Sequence, residues 1–411
     1  MDQAPKRNPI LSIFITVFID MLGVGIIIPV FAPLIVKNDL GIVPPQFDQA
    51  ARQIIYGFLT ATFAFSQFFG APILGALADR YGRKRILNIS LVGTLCGYIL
   101  FALAIHVKLL WLLFIARAIP GFMGGNISIA LAALADLSDD KSKAKNFGLV
   151  GMAFGLGFIF GPFIGGVLGN IDYSLPLWFT AFLTLINVIL VYIQFPETFK
   201  PKHVRPITLL AGVNNILKAF TYREMSVILL VLFLQAFGFT FFTQFFPVFM
   251  IEKFAVSKAE IGKIFGFVGI WIAFTQGFIT RKMAAKFAPS QILRFSLLGM
   301  SIAVLINLLP DTLFWLYAVQ PILAISQGLT QPNMTSIVSS LGTTENQGEI
   351  LGIQASVQSL AFAIPPIIAG YISGIDYRYP VIAGSVSLFL SFLVYTFFFK
   401  PKWHEVKESV N

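Results

Sequence analysis

The sequence has one cysteine, three histidines and few charges of either sign. Cys96, alone, excludes an intrachain disulfide and a cysteine-based zinc site. His106, His203 and His404 lie in separate regions, so no metal site is expected. A His-Glu-x-x-His motif, a phosphate-binding Gly-rich loop ending in Lys and paired carboxylates within an apolar block are all missing. Those absences speak against metal-dependent hydrolysis, direct ATP use and intramembrane catalysis, so neither a catalytic residue nor a cofactor is expected. Charged residues make up only 12% of the chain, against 57% hydrophobic, at a mean hydropathy of +0.82. A water-soluble protein needs more polar surface than that balance provides.

What is there is a series of long apolar blocks broken by short polar clusters. Blocks of roughly 20 apolar residues span a bilayer as helices. Spans are expected at 9–36, 54–79, 86–106, 109–136, 146–169, 176–195, 226–251, 259–281, 291–309, 312–340, 348–374 and 379–399. None alternates with period two over ~10 residues, as an outer-membrane barrel strand would. The first block is too long for the core of a signal peptide and reads as a first span.

Lys and Arg set the orientation. With the N-terminus inside, 21 of them fall on inner segments, seven on outer segments, and Arg117 within a span. Both termini are therefore expected in the cytoplasm. The same distribution accounts for the net charge of +10 without nucleic acid as a partner.

The longest polar stretch between spans, 196–225, reads as a cytoplasmic linker between an N-terminal six-helix bundle (1–195) and a C-terminal one (226–411). Residues 215–220 within it suggest a short surface helix. The two halves repeat each other. Gly57-Phe58 and Ala64 to Gln67 recur as Gly266-Phe267 and Ala273 to Gln276, an offset of 209. Ile86 to Gly93 recurs from Ile292 at 206, and Gly148, Pro162 and Gly166 recur as Gly352, Pro366 and Gly370 at 204. Parallel repeats of this kind, related by an axis along the membrane normal, hold substrate near the midplane in one large class of transporters.

Of the 19 acidic residues, only Asp20 falls deep within a span, about eleven residues into the first helix or ~16 Å of rise. A carboxylate at that depth is costly, so it faces a cavity or a partner. Arg117 is the only deep cation. Because the first and fourth helices run in opposite directions, the two charges reach comparable depth. They are candidates to pair directly or through water, with Asp20 binding and releasing a coupled proton and Arg117 biasing it; the structural alternative is a static ion pair.

Between the second and third spans stands Gly75-Ala-Leu-Ala-Asp79-Arg80-Tyr81-Gly82-Arg83-Lys84-Arg85. Placed on the inner side after the second helix, this run resembles the signature of the major facilitator superfamily. Asp20, Gly23, Gly25 and Pro29 resemble the first-helix motif of its twelve-span drug:proton antiporters, and Arg117, Gly121 and Gly124 their fourth-helix motif. Gly155 to Gly166, with Gly161-Pro162 and Gly165-Gly166, resembles their fifth-helix antiporter motif, which importers usually lack. The overall layout looks closest to the tetracycline:proton antiporters.

That resemblance implies an all-α membrane protein with twelve helices in two pseudo-symmetric six-helix bundles. It implies Asp20 and Arg117 as the proton-coupling pair. A cytoplasmic gate of Asp79, Arg80, Gly82, Arg83 and Asp136 follows, with Arg83 near Asp136 and Asp79 near the start of the eleventh helix around Gly348. Gly23, Gly25, Pro29, Gly121, Gly161, Pro162, Gly165 and Gly166 would serve packing and hinging, and Gly151, Gly155 and Gly169 also crowd the fifth helix. A monomer in the bacterial inner (cytoplasmic) membrane is expected.

The tetracycline exporters carry further acids in helices three and nine, and the blocks 86–106 and 291–309 have none. In the C-terminal half Gln235, Phe237, Phe241, Gln327, Gln331, Gln354 and Gln358 offer amides and an aromatic stripe instead. Apolar walls with a few amides suit an amphiphilic organic ligand, although lipid-facing rings and interhelical amide bonds explain the same pattern. The expected function is proton-coupled export of small lipophilic or amphiphilic molecules, such as drugs. The alternative is proton-coupled export of a specific metabolite, such as a sugar, amino acid derivative or siderophore.

Overall fold

The computed structural model describes residues 9–138, 143–198, 223–341 and 347–399. Among them are twelve helices long and apolar enough to cross a bilayer. In chain order they are α1 (Pro9–Lys37), α2 (Gln49–Tyr81), α3 (Arg83–Val107), α4 (Leu110–Leu137), α5 (Leu149–Ile171), α6 (Leu175–Gln194), α7 (Met225–Phe254), α8 (Lys258–Ala284), α9 (Pro289–Ile306), α10 (Leu313–Val338), α11 (Ile353–Ile375) and α12 (Tyr379–Phe398). The described residues contain no strand. Large apolar side chains such as Phe182, Ile375 and Phe398, each at least 60% exposed, form the outer belt that a bilayer covers. The suggested surface helix at 215–220, and most of the linker, lie outside the described residues.

The helices depart from the apolar blocks where local chemistry intervenes. α2 begins five residues before its block because Asp48 caps it, its side chain accepting from the Ala51 N–H at 2.8 Å. The fourth span is two helical pieces, broken at Gly124 and Gly125 between Met123 and Asn126. The eleventh is interrupted at Ile364, before Pro365 and Pro366, where the missing N–H groups cannot continue the ladder.

A row of close backbone approaches joins α1 to α5. Gly157, Gly161 and Gly165 present bare backbone to Met21 and Leu22, to Leu22 and Gly25, and to Ile26, while Gly169 faces Val30. This four-residue repeat of glycine lets the two backbones touch. Gly151 and Gly155 are not part of it: a side chain at either would meet open space. They precede the crossing, so their place in the sequence alone did not distinguish them from the packed set.

The halves meet through two equivalent contacts. A Cβ on Gly57 of α2 would run into the Pro366 carbonyl of α11, and one on Gly262 of α8 into the Pro162 carbonyl of α5. Gly370 packs on Gln53 and Ile54, while Gly166 packs on Lys258 and Gly262. Gly57 thus corresponds to Gly262, at an offset of 205 that agrees with the 204 relating Pro162 to Pro366. The match of Gly57 to Gly266 read from the sequence is one helical turn too far, because small residues recur along α8 and several registers look alike.

Both α2–α11 and α5–α8 contacts lie toward the end opposite the termini, and polar contacts seal that end. Lys37 Nζ donates to the Val256 carbonyl at 2.9 Å. Gln49 and Gln53 donate to Glu252 Oε1 at 2.6 and 3.1 Å. The Lys258 ammonium sits 3.3 Å from the centre of the Tyr173 ring, whose hydroxyl donates to Asp39 Oδ2 at 2.8 Å. Burial and the Asp39 carboxylate push the Tyr173 phenol up. Beside it, the Ser174 hydroxyl and N–H hold the Asp172 carboxyl below its usual range. Toward the terminal end, by contrast, Gly151 and Gly155 of α5 and Gly277 of α8 face open space.

Candidate functional site

The glycine-packed crossing of α1 and α5 fixes the depth and direction of Asp20. The residue is buried at 8% exposure. The Asn126 side chain stands beside the carboxyl, and Oδ2 is buried without a partner. Asn126 reaches it because the fourth span breaks just before it. Its Oδ1 accepts the Ile127 N–H at 2.9 Å, which leaves the NH2 group to face Asp20. Asn126 carries no charge to mark it in the sequence, and its one signal there is Gly124-Gly125-Asn126, a turn pattern inside an apolar block.

Arg117 stands nearby on α4. Its guanidinium lies over the rings of Phe31 (5.2 Å) and Phe63 (4.8 Å), a favourable setting for a cation away from water. Its Nε is buried and has no hydrogen-bond partner. Among the described residues no ion pair joins it to Asp20. Tyr98 of α3 stands between them in the electrostatic sense, interacting with both charges. Its hydroxyl packs on Gly23, where any side chain would collide with it. Gly25 packs on Gly161 and Pro162, Pro29 is buried within α1, and Gly121 fits against the Phe63 backbone. The arrangement is a carboxyl and a guanidinium held apart, each with an unused polar atom, in a shell of aromatic rings.

At the terminal end, Gly82 joins α2 to α3 at φ +100°, a conformation that favours glycine. Arg83 Nη2 lies 3.2 Å from Asp136 Oδ2 and 3.7 Å from Asp79 Oδ1. Glu197, at the start of the polar stretch 196–225, accepts the N–H groups of Arg83 (2.8 Å) and Lys84 (3.2 Å). A carboxylate there satisfies free donors at the start of α3 and suits the positive end of the helix. Arg80 is exposed and lies over the Tyr81 ring, outside this cluster. The expected neighbour of Asp79, Gly348, lies outside the residues whose side chains are described.

The C-terminal half pairs its amides. Gln235 Nε2 reaches Gln327 Oε1 at 3.4 Å between α7 and α10, and Gln354 donates to Thr335 at 3.3 Å between α10 and α11. A small cavity of about 20 Å³, room for about one water, lies among α7, α8 and α10, lined by Phe239, Phe242, Thr243, Phe246 and Gln327 among others, with Phe158 of α5 the one lining residue from the N-terminal half. Of the seven residues expected to contact substrate, only Gln327 lines this cavity. Phe237 and Phe241 belong instead to a ladder of rings running from Phe233, with centroids 5.2 Å apart. Gln235, Gln331, Gln354 and Gln358 also lie off its wall. The reason is angular: residues 237 and 241 sit about 100° to 200° around the helix from 239 and 242.

Sequence and structure comparisons agree with this fold. The model of the Major Facilitator Superfamily matches residues 13–366 and 228–410. The chain is 30% identical to the class C tetracycline resistance protein of Escherichia coli, over 88% of this chain and 89% of that protein. It is 28% identical to multidrug resistance protein 1 of Bacillus subtilis (strain 168), over 93% of this chain and 94% of that protein. Among solved structures it is similar to the human organic anion transporter MFSD10 (TETRAN), at a TM-score of 0.72 and 21% identity, covering 96% of this chain and all of that one. It is also similar to a D-xylose–proton symporter, at a TM-score of 0.74 and 15% identity, covering 96% and 99%. This multi-pass membrane protein is a transporter rather than an enzyme, and it belongs to the Major Facilitator Superfamily.

Proposed function

We propose that the protein is a proton-coupled antiporter that exports small lipophilic or amphiphilic organic molecules. It works as a monomer in the bacterial cytoplasmic membrane, with both termini inside and the halves 1–195 and 226–411 rocking about a fixed site. The observation that carries this reading is Asp20: a buried carboxyl with one oxygen unpartnered, in no ion pair with Arg117, the cation that shares Tyr98 with it. Such a group can change its charge without breaking an ion pair, which a proton carrier requires. The names of the relatives, tetracycline resistance and multidrug resistance, fit the export of drugs.

With the termini inside, the sealed end faces outward and the structure is the inward-facing state. Asp20 takes a proton from the outside, the outer end closes, and the proton leaves inward. Substrate then enters between the halves from the inner side and is carried out. Arg117 tunes the charge balance at Asp20, and the cluster of Arg83, Asp79 and Asp136 holds the inner side in the opposite state.

One observation favours a substrate other than tetracycline. Neither α3 nor α9 contains an Asp or Glu, where the tetracycline exporters carry acids. Export of a specific metabolite is therefore the second reading. A susceptibility panel in an efflux-deficient host, comparing wild type with Asp20→Asn, separates the two. Resistance to several compounds that vanishes in the variant supports drug export. No resistance phenotype supports the metabolite. Proteoliposome transport that still follows the pH gradient in Asp20→Asn would remove Asp20 from the mechanism.

A further inference from the structure

Among the polar contacts that cross between the halves, one stands apart. The Tyr56 hydroxyl of α2 donates to the Gln244 carbonyl of α7 at 2.7 Å. Tyr56 lies seven residues inward from Gln49, about 10 Å deeper, and it is 2% exposed. Its ring packs edge-on against Phe245 of α7 (5.2 Å) and Phe31 of α1 (5.5 Å). The other face of that neighbourhood is the charged site, since the same Phe31 ring lies under the Arg117 guanidinium at 5.2 Å. Tyr56 is thus in contact with both the seal and the shell around the charges.

We infer that Tyr56 is the positioning residue that links the proton on Asp20 to closure of the outer end, through its hydrogen bond to helix α7. The inference rests on the reading of Asp20 as proton carrier. The groups facing Tyr56 define the sign. Arg117 on α4 acts on the Tyr56 phenol, and Tyr98 on α3 interacts with both Arg117 and Asp20. From α7 it meets Gln244 and Phe245, neither of them titratable, and α11 contributes no charged residue between 353 and 375. In this reading the ionised Asp20, which acts on the same cluster as Arg117, offsets part of the field of Arg117 at the phenol. Protonation removes the offset. The phenol O–H then sits in an unbalanced positive field, which polarises it and makes it a better donor to the Gln244 carbonyl. A proton on Asp20 therefore favours the sealed outer end, which is the direction an exporter driven by inward proton flow needs.

The test uses the full-length protein in lipid, with spin labels on Gln46→Cys and Leu309→Cys at the outer end of opposite halves, in a Cys96→Ser background. Interlabel distances are recorded at acid and alkaline pH. Wild type is expected to close at acid pH and open at alkaline pH, and Asp20→Asn to stay closed at both. Tyr56→Phe is expected to lower the closed-to-open ratio at acid pH about fivefold, the worth of one net hydrogen bond, and to lose most of the pH response. Phe31→Leu keeps the hydroxyl and removes the ring beneath Arg117; it is expected to weaken the pH response by a smaller factor. A wild-type pH response in Tyr56→Phe, with Asp20→Asn locked, overturns the role of Tyr56 and leaves the Asp20 reading standing. Should Tyr56→Phe fail to fold, a wild-type response in Phe31→Leu has the same force. A wild-type pH response in Asp20→Asn overturns the Asp20 reading, and this inference with it.

Discussion

The two halves follow one packing plan and differ in how closely they carry it out. In the N-terminal half, the face of α5 toward α1 is Gly157, Gly161, Gly165 and Gly169. At the offset of 204 the equivalent residues of α11 are Ala361, Pro365, Ala369 and Ser373, all buried. The C-terminal half thus keeps the face small but puts a Cβ at each position, which bars direct backbone contact of the kind α1 and α5 make. The half with the closer crossing is also the half that holds Asp20 and Arg117. A carboxyl kept near a guanidinium without touching it needs fixed backbones, whereas paired amides, as between Gln235 and Gln327, tolerate some play. Pseudo-symmetry sets which helices meet, and the residues at each meeting decide what chemistry that half can do.

The largest expected effect comes from erasing the difference. Gly165→Val drives a side chain into the Ile26 backbone, which cannot yield as a flexible side chain would. Overpacking of this kind costs on the order of 3 kcal/mol or more. A large fall in folded yield and in Tm in detergent is expected. Ala369→Gly, the reverse change in the other half, removes one methyl and loosens the helix, at about 1 kcal/mol. Equal losses in the two variants would show that the glycine face has no special standing.

Much of this was legible in the sequence. Hydropathy placed all twelve spans, because a bilayer demands long apolar helices. Asp20 and Arg117 stood out because a charge within such a span is rare. What stayed hidden depends on rotation and on contacts distant in sequence. Asn126 reaches Asp20 only because α4 breaks, and Glu197 finds α3 only after six helices have packed. The side of α7 that lines the cavity is set by angle. Phe237 and Phe242 look alike in a list of aromatic residues and face different neighbours in the fold.

A second comparison sets the charged site against the amide site. Arg117→Gln is expected to reduce proton-driven transport about tenfold or more, since coupling free energies are about 1–3 kcal/mol. Its substrate affinity should change little. Gln327→Leu is expected to do the opposite, raising KM about threefold to fivefold through one lost polar contact while leaving the proton:substrate ratio intact. Transport rates across a range of pH gradients, with KM measured at each, separate the two. If Gln327→Leu altered the stoichiometry, or Arg117→Gln shifted only KM, the division of labour between the halves would be wrong.

The smallest expected change in stability is at Gly155, where the sealed and open ends of the molecule can be set against each other on a single helix. Valine there meets no neighbour within 4 Å, so Tm should shift by the equivalent of less than about 0.5 kcal/mol. Transport is a different matter. Further along α5, Gly166 already lies against Gly262 of α8, and that contact is what closes one end. For the halves to rock, the stretch of α5 holding Gly151 and Gly155 must approach α8 near Gly277 in turn, and a β-branched side chain would hold them apart. Gly155→Val is therefore expected to fold normally and to transport poorly, remaining closed at the outer end in distance measurements at any pH. A variant that transports as wild type would mean that the terminal end closes without contact at this glycine, and that the two ends of α5 do not perform the same motion in opposite phases.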